Sequence, residues 1–164
     1  MGLHRGGERQ VNIVIGYDAH ANSKAAVVFG ARLARALHSQ IRVVHVVDFG
    51  DLPFDPDEPD YEVETDQHLE EHRRVVAELL GRDADDWTYT TARGETAQVL
   101  TSEAQSCGAT MIVVGRPHHG LGAMLDHSLS GAVFKGLTNR GNCPVLIVPE
   151  GWESQPVPGE GLAA

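Results

Sequence analysis

A chain of 164 residues with 41% hydrophobic and 22% charged residues fits one globular domain and excludes a disordered chain or a fibre. No apolar run approaches the roughly 18 residues that a spanning helix needs, and residues 1–10 hold no apolar signal core, so we expect a cytoplasmic protein with no membrane partner. The 13 basic and 23 acidic residues give a net charge of −10 with no basic cluster, which argues against a nucleic-acid partner.

Five strands are predicted along the chain. Four of them are short apolar runs rich in β-branched residues, which is typical of strands buried on both faces. The remaining strand, which is the third along the chain, is predicted from its Trp, Tyr and Thr content. In chain order the predicted strands cover residues 11–16, 41–47, 86–91, 110–115 and 144–148.

Helices are predicted between the strands from apolar residues at three- and four-residue steps. Asn22 or Ser23 is the expected cap of the first helix, and Thr65 or Asp66 is expected to open the second. Gly81 and Gly108 are placed to end the second and third helices, and a fourth is expected to begin near Ser128.

Two polar stretches interrupt this pattern. Eleven acidic residues and no Lys or Arg lie between Val43 and His72, so residues 48–64 are predicted to form a mobile loop that is dispensable for folding. From Glu150 onward the chain is rich in Gly and Pro without periodicity. We therefore expect one domain over residues 9–149 and a disordered tail over residues 150–164.

Apolar strands that alternate with helices indicate a parallel sheet covered by helices on both faces. The expected fold is a three-layer, doubly wound α/β domain. Such sheets bind ligands at the carboxyl ends of their strands, where the strand order reverses. The candidate site therefore comprises residues that follow strands one, two and four, namely 18–22, 46–48 and 115–128.

The loop after the fourth strand, residues 115–128, is rich in glycine and leads to a helix start. Unpaired N–H groups there suit a phosphate, although no Walker motif is present and a plain connector is the alternative. At this loop the sequence resembles the universal stress protein family, whose signature is Gly-x2-Gly-x9-Gly-[Ser/Thr] after strand four. Supporting matches are Asp18 and residues 45–48, 111–115 and 142–148, and the resemblance covers roughly residues 9–149.

This resemblance implies a five-stranded sheet of order 3-2-1-4-5, similar to that of adenine-nucleotide α-hydrolases, and a site for ATP. In that site, a carboxylate after strand one and the backbone of strand two would face the adenine. The end of strand four would face the ribose and phosphate side, and the signature loop would surround the phosphates. By position, the implied site residues are Asp18 and Val46 at the adenine, Val114 and Gly115 at the ribose, and Gly120, His127, Ser128 and Leu129 in the loop.

The loop departs from the family signature. The segment from Gly115 to Gly120 is one residue short, so the second signature glycine is missing, and His127 stands at the third. His127 adds bulk where glycine lets the backbone approach a phosphate, and Asp126 repels a triphosphate unless a metal ion bridges them. A protonated His127 can instead donate a hydrogen bond to phosphate. Any ATP binding is therefore expected to be weak and to depend on Mg²⁺.

Two functions remain open: a nucleotide-responsive regulatory protein, and a nucleotide-independent stress module that acts only through protein contacts. No catalytic residue is assigned, because the Ser-Gly-Gly-x-Asp-Ser loop of α-hydrolases, the paired acids of response regulators and Gly-x-Ser-x-Gly are all missing from the sequence. The resemblance also implies an antiparallel homodimer through the last strand. Its residues Val145, Leu146, Ile147 and Val148 carry no charge that would block edge pairing.

The histidines and cysteines do not predict a metal site. Cys107 and Cys143 fall at no metal-ligand spacing and are expected to be buried thiols. The loop histidines His118 and His119, with His127, are expected to be exposed rather than metal ligands. His45, in an apolar strand, is expected to be a hydrogen-bonded core residue.

Overall fold

The computed structural model describes residues 12–47, 52, 54–81, 86–116, 131–140 and 143–152. Strands and helices alternate throughout these ranges. They are β1 (Asn12–Tyr17), α1 (Ala21–Leu37), β2 (Gln40–Val46), α2 (Tyr61–Leu80), β3 (Trp87–Ala92), α3 (Thr96–Cys107), β4 (Met111–Gly115), α4 (Gly131–Arg140) and β5 (Val145–Val148).

The five strands form one parallel sheet in the order β3-β2-β1-β4-β5, which confirms the predicted doubly wound α/β fold. In the register of the sheet, Tyr17 is opposite His45 and Gly115 is opposite Val148. The carboxyl ends of β1, β2, β4 and β5 therefore reach the same edge of the sheet.

Each face of the sheet has its own apolar core. Ile15 and Val43 pack with α1 and α2 on one face, where Val76 and Leu80 of α2 are fully buried. On the other face, strand residues pack with α3 and α4 in a cluster that includes Val14, Val44, Leu100 and Leu137. Because side chains alternate across a strand, adjacent strand residues serve opposite cores, which explains the continuous apolar runs in the sequence.

The second helix begins earlier than predicted. It starts at Tyr61 rather than at Thr65 or Asp66, so residues 61–64 of the predicted loop 48–64 belong to α2. Glu62 and Glu64 lie in the first turn, where negative charge interacts favourably with the N-terminal end of the helix dipole. The acidity that predicted a loop here instead favours a helix start. Residues 48–51 and 53 lie outside the described residues.

The first helix also begins before its predicted caps. It starts at Ala21, so Asn22 and Ser23 lie inside its first turn, and His20 is the capping residue. Both predicted helix ends are confirmed, since Gly81 and Gly108 follow α2 and α3 with positive φ angles of 54° and 61°. The predicted start of the fourth helix near Ser128 lies outside the described residues.

The chain remains packed beyond the predicted domain boundary. The indole N–H of Trp152 donates to the carbonyl of Ala25 at 3.2 Å, and its ring meets Phe29 edge-on with centroids 5.0 Å apart. The guanidinium of Arg32 lies 4.9 Å from the centre of the same ring. Residues 150–152 are thus part of the folded unit rather than of a disordered tail, and residues 153–164 lie outside the described part.

No helix among the described residues is long and apolar enough to span a bilayer. Cys107 and Cys143 are free and half-buried rather than fully buried. Burial raises the pKa of the Cys143 thiol, with the nearby Cys107 adding to the effect.

Candidate functional site

The candidate site lies where β1 and β4 are neighbours in the centre of the sheet. The chain leaves β1 for α1 on one face, and it reaches α4 after β4 on the opposite face. In doubly wound sheets, ligands bind at the carboxyl ends of two strands whose following helices diverge in this way. The structure therefore places the predicted site residues of strands one and four side by side.

The turn after β1 holds Asp18 in a defined position. One carboxylate oxygen of Asp18 accepts the backbone N–H of His20 at 3.1 Å, and the N–H of Asp18 donates to the Ser23 hydroxyl at 3.3 Å. That hydroxyl donates in turn to the carbonyl of His20 at 3.0 Å. The Asp18 side chain is only 22% exposed, so a partly desolvated carboxylate is fixed at the end of β1.

A strained residue completes this turn. Ala19 has a φ angle of 68°, in the left-handed region that non-glycine residues seldom adopt. Such backbone strain persists only where the surroundings hold it, and here the hydrogen bonds of Asp18 and Ser23 bracket the residue. The turn is therefore a rigid support for the carboxylate rather than a flexible link.

Gly115 allows the end of β4 to touch the start of α1. A Cβ atom at this position would overlap the backbone carbonyl of Asn22 and the backbone nitrogen of Ser23. The Asn22 side-chain amide donates a hydrogen bond to the backbone carbonyl of Arg116, and the backbone N–H of Arg116 donates to the carbonyl of Val148 at 2.7 Å. These contacts hold Gly115, the first residue of the signature loop, against the start of α1.

Val46 and Val114 share the sheet face that α3 covers. Both pack against the cluster around Leu100, with Val114 7% exposed and Val46 half-buried. Gly16 of β1 lies between them in the strand order, and a Cβ atom there would come within 3.0 Å of Leu100 and 3.2 Å of Val114. The side chains of Leu100 and Val114 therefore pack directly against the backbone of Gly16, and the three residues form part of one apolar surface.

The candidate range 18–22 predicted from the sequence includes Asn22, but nothing in the sequence indicates what its side chain contacts. Its side-chain amide joins α1 to the residue that follows β4, and its side-chain oxygen is buried with no hydrogen-bond partner among the described residues. Tyr17, one residue beyond the predicted first strand, is the last residue of β1 and packs on the sheet face opposite Val46 and Val114. It is 2% exposed, and burial together with the charge of Asp18 raises its pKa to about 12. The polar residues directly after an apolar strand were the available signal for Asn22.

The remaining predicted site residues, Gly120, His127, Ser128 and Leu129, lie outside the described residues. The described part offers a fixed carboxylate, a buried amide and an apolar surface at one edge of the sheet. These groups suit the binding of a flat, apolar ring that carries hydrogen-bond donors.

Comparison with known proteins agrees with this geometry. Residues 11–149 match the sequence pattern of the Universal stress protein family. A universal stress protein from Mycolicibacterium smegmatis (strain ATCC 700084 / mc(2)155) is 31% identical over 146 residues, which cover 85% of this chain and 48% of that protein. The chain thus spans about half the length of this relative.

Solved structures of the same family share the fold. A family protein from Burkholderia pseudomallei is 25% identical, with a TM-score of 0.62 over 87% of this chain and 98% of the other. A universal stress protein in complex with cAMP is 20% identical, with a TM-score of 0.59 over 86% and 98% of the two chains. One from Archaeoglobus fulgidus in complex with dAMP is 16% identical, with a TM-score of 0.57 over 85% and 97%.

Proposed function

The chain belongs to the universal stress protein family, and we propose that it is a regulatory member that responds to an adenine nucleotide bound at the carboxyl ends of β1, β2 and β4. The supporting observation is a fixed Asp18 carboxylate in the turn that leads into the helix start touched by Gly115, with Val46 and Val114 on one sheet face. The complexes of similarly folded proteins with cAMP and dAMP support the choice of an adenine nucleotide.

In this proposal the described residues recognise the base. The carboxylate of Asp18 accepts a hydrogen bond from the exocyclic amino group of adenine, and the apolar surface of Val46 and Val114 covers the ring. Gly115 lets the ribose approach the backbone. A guanine ring has a carbonyl oxygen at the position of that amino group. Because this oxygen and the Asp18 carboxylate are both hydrogen-bond acceptors, guanine would not form the same bond.

The phosphates are assigned to the signature loop. Gly120 and the N–H groups of Ser128 and Leu129 would contact them, with His127 donating a hydrogen bond when it is protonated. Losing one or two phosphate hydrogen bonds through the shortened loop, at about 1.5–3 kcal/mol each, weakens affinity by about tenfold or more. We therefore propose weak, Mg²⁺-dependent ATP binding without appreciable turnover.

A nucleotide-independent stress module remains the second candidate. The observation that favours it is the missing second signature glycine together with His127, preceded by Asp126, at the position of the third. A carboxylate and a bulky ring beside the phosphate seat both oppose a triphosphate. In that case the domain acts only through protein contacts.

Calorimetric titration distinguishes the two candidates. The protein is titrated with ATP in the presence and absence of Mg²⁺, with AMP and cAMP in parallel and with GTP as the matched control. The proposal expects a one-to-one complex with the adenine nucleotides, tighter ATP binding with Mg²⁺, and no comparable GTP binding. Absence of binding heat with every adenine nucleotide at millimolar concentration would establish the second candidate instead.

We also propose a homodimer through β5. This strand lies at the edge of the sheet, and the Ile147 side chain is 49% exposed although it is large and apolar. An uncharged edge strand with an exposed apolar residue is a template for pairing with a second copy. The antiparallel arrangement implied by the family would extend the sheet across the two subunits.

A further inference from the structure

Three histidines lie together between the sheet and α2, on the face opposite Val46 and Val114. The rings of His68 and His72 are 4.6 Å apart and nearly perpendicular, and the ring of His45 lies 5.3 Å from that of His72. Tyr17 packs edge-on against both His45 and His72. The cluster is outside the site described above, and nothing in the proposed function uses it.

The two helical histidines direct the same ring atom at one another. The Nε2 atoms of His68 and His72 are 3.1 Å apart and form a hydrogen bond, which a shared ion would replace. Their spacing of four residues places both side chains on one face of α2, which is the spacing by which a single helix supplies two imidazoles to one zinc ion. Two nitrogens held about 2.0–2.1 Å from one tetrahedral ion lie about 3.3–3.4 Å apart, so the distance between the two Nε2 atoms is close to the one that a shared ion requires.

The surroundings also contain polar groups that have no partner among the described residues. Thr65, which is 6% exposed, lies one turn before His68 on the same side of α2, and its hydroxyl forms no hydrogen bond with the described part of the chain. The same holds for the buried hydroxyl of Tyr17. Unsatisfied buried groups are costly, and water molecules bound to an ion would give such hydroxyls partners. The pair itself is only half-buried, so an ion can reach it.

We propose that His68 and His72 form a two-histidine site for one divalent transition-metal ion of the class that prefers imidazole, such as Zn²⁺ or Cu²⁺. Among the described residues no group of three or more His, Cys, Asp and Glu side chains is arranged around one ion. The proposal therefore assigns two protein ligands, with water at the other coordination positions. By the usual order of affinities, Cu²⁺ binds more tightly than Zn²⁺. The site joins two successive turns of α2 and is separate from the proposed nucleotide site.

The test uses the full chain, freed of metal with a chelator and then titrated with ZnCl₂ and with CuCl₂. The variants are His68→Ala, His72→Ala and the milder His68→Gln, with circular dichroism to verify that each one folds. His38→Asn is the matched control, because His38 is exposed at the end of α1 and Asn tolerates its positive φ of 50°. A His118→Ala/His119→Ala variant measures binding by the adjacent loop histidines.

The proposal expects one equivalent of Zn²⁺ to bind to the unaltered protein, with tighter binding of Cu²⁺. Each substitution at His68 or His72 should weaken binding at least tenfold, while the His38 control binds as before. The electron paramagnetic resonance spectrum of the Cu²⁺ complex should show two imidazole nitrogens that are lost in the His68 and His72 variants. Absence of binding at about 100 µM metal, or binding lost only in the His118/His119 variant, would overturn the proposal.

Discussion

The hydroxyl of Tyr89 on β3 lies 2.7 Å from Nδ1 of His45 on β2, and this bond fixes a histidine inside the sheet. His45 is 5% exposed, as expected from its place in an apolar strand. Burial, and then the facing His72, lower its pKa to about 4, while Asp18 opposes them and His68 adds to the lowering. His45 is therefore neutral at pH 7, and Tyr89, whose pKa is raised by burial, keeps its proton and can donate it.

The first prediction is that the protein loses stability in acid because of His45. The unfolded chain, with a histidine pKa of about 6.5, binds a proton before the folded chain does, so stability is complete above pH 6.5 and falls toward pH 4. One such proton changes the free energy of unfolding by at most about 1.4 kcal/mol per pH unit. Urea unfolding at several pH values measures this slope.

His45→Gln should flatten this slope, while the exposed His38→Asn leaves it unchanged. His72 contributes in the same direction, because its pKa is also lowered in the folded state. Equal slopes for the His45 variant and the unaltered protein would show that other groups cause the acid sensitivity.

The second prediction concerns the contact between Gly115 and Asn22. Gly115→Ala should destabilise the fold by about 1–3 kcal/mol, because its Cβ atom would overlap backbone atoms that cannot rotate away. Gly16→Ala is the matched comparison, since its Cβ atom meets only side-chain ends of Leu100 and Val114, which can adjust. Chemical denaturation should give a larger loss for Gly115→Ala, and the reverse order would contradict the packing argument.

The third prediction concerns the base-binding carboxylate. Asp18→Asn should weaken adenine-nucleotide binding, because an amide keeps the size of the side chain but loses the charge that strengthens a hydrogen bond to the amino group. Asp18→Ala should weaken it further. Calorimetry with AMP isolates this effect from the triphosphate, and unchanged AMP affinity in both variants would remove Asp18 from the site.

The fourth prediction concerns the signature loop. His127→Gly restores the third signature glycine and should tighten ATP binding by about tenfold if bulk at this position limits the approach of phosphate. Binding of AMP, with its single phosphate, should change less. Weaker ATP binding in this variant would instead identify His127 as a phosphate donor.

The fifth prediction concerns the edge strand. Ile147→Lys should shift a dimer toward the monomer, because an exposed lysine at the centre of β5 is buried without a partner when two edges pair. Light scattering at micromolar concentration measures the mass of each form. Val63→Lys is the control, since Val63 is similarly exposed but lies on α2. A monomeric unaltered protein, or an unaffected dimer in Ile147→Lys, would refute the interface.

Local sequence patterns determined the elements of this protein and the class of its fold. Apolar runs and three- and four-residue periodicity depend on neighbours in the chain, so β1, β2 and β4 and the helix ends at Gly81 and Gly108 were predictable. The start of α2 was not, because acidic residues favour both a solvated loop and the first turn of a helix, and the sequence alone does not decide between them.

Only the tertiary structure decided which distant residues meet. Gly115 touches Asn22, Trp152 packs on Phe29, and His45 lies beside His72, because parallel strands joined by crossover helices bring together residues far apart in the chain. The pairing of His68 with His72 is local, yet its burial against Tyr17 is not. Sequence periodicity records how a helix is wound, whereas the environment of its side chains depends on the strands against which that helix packs.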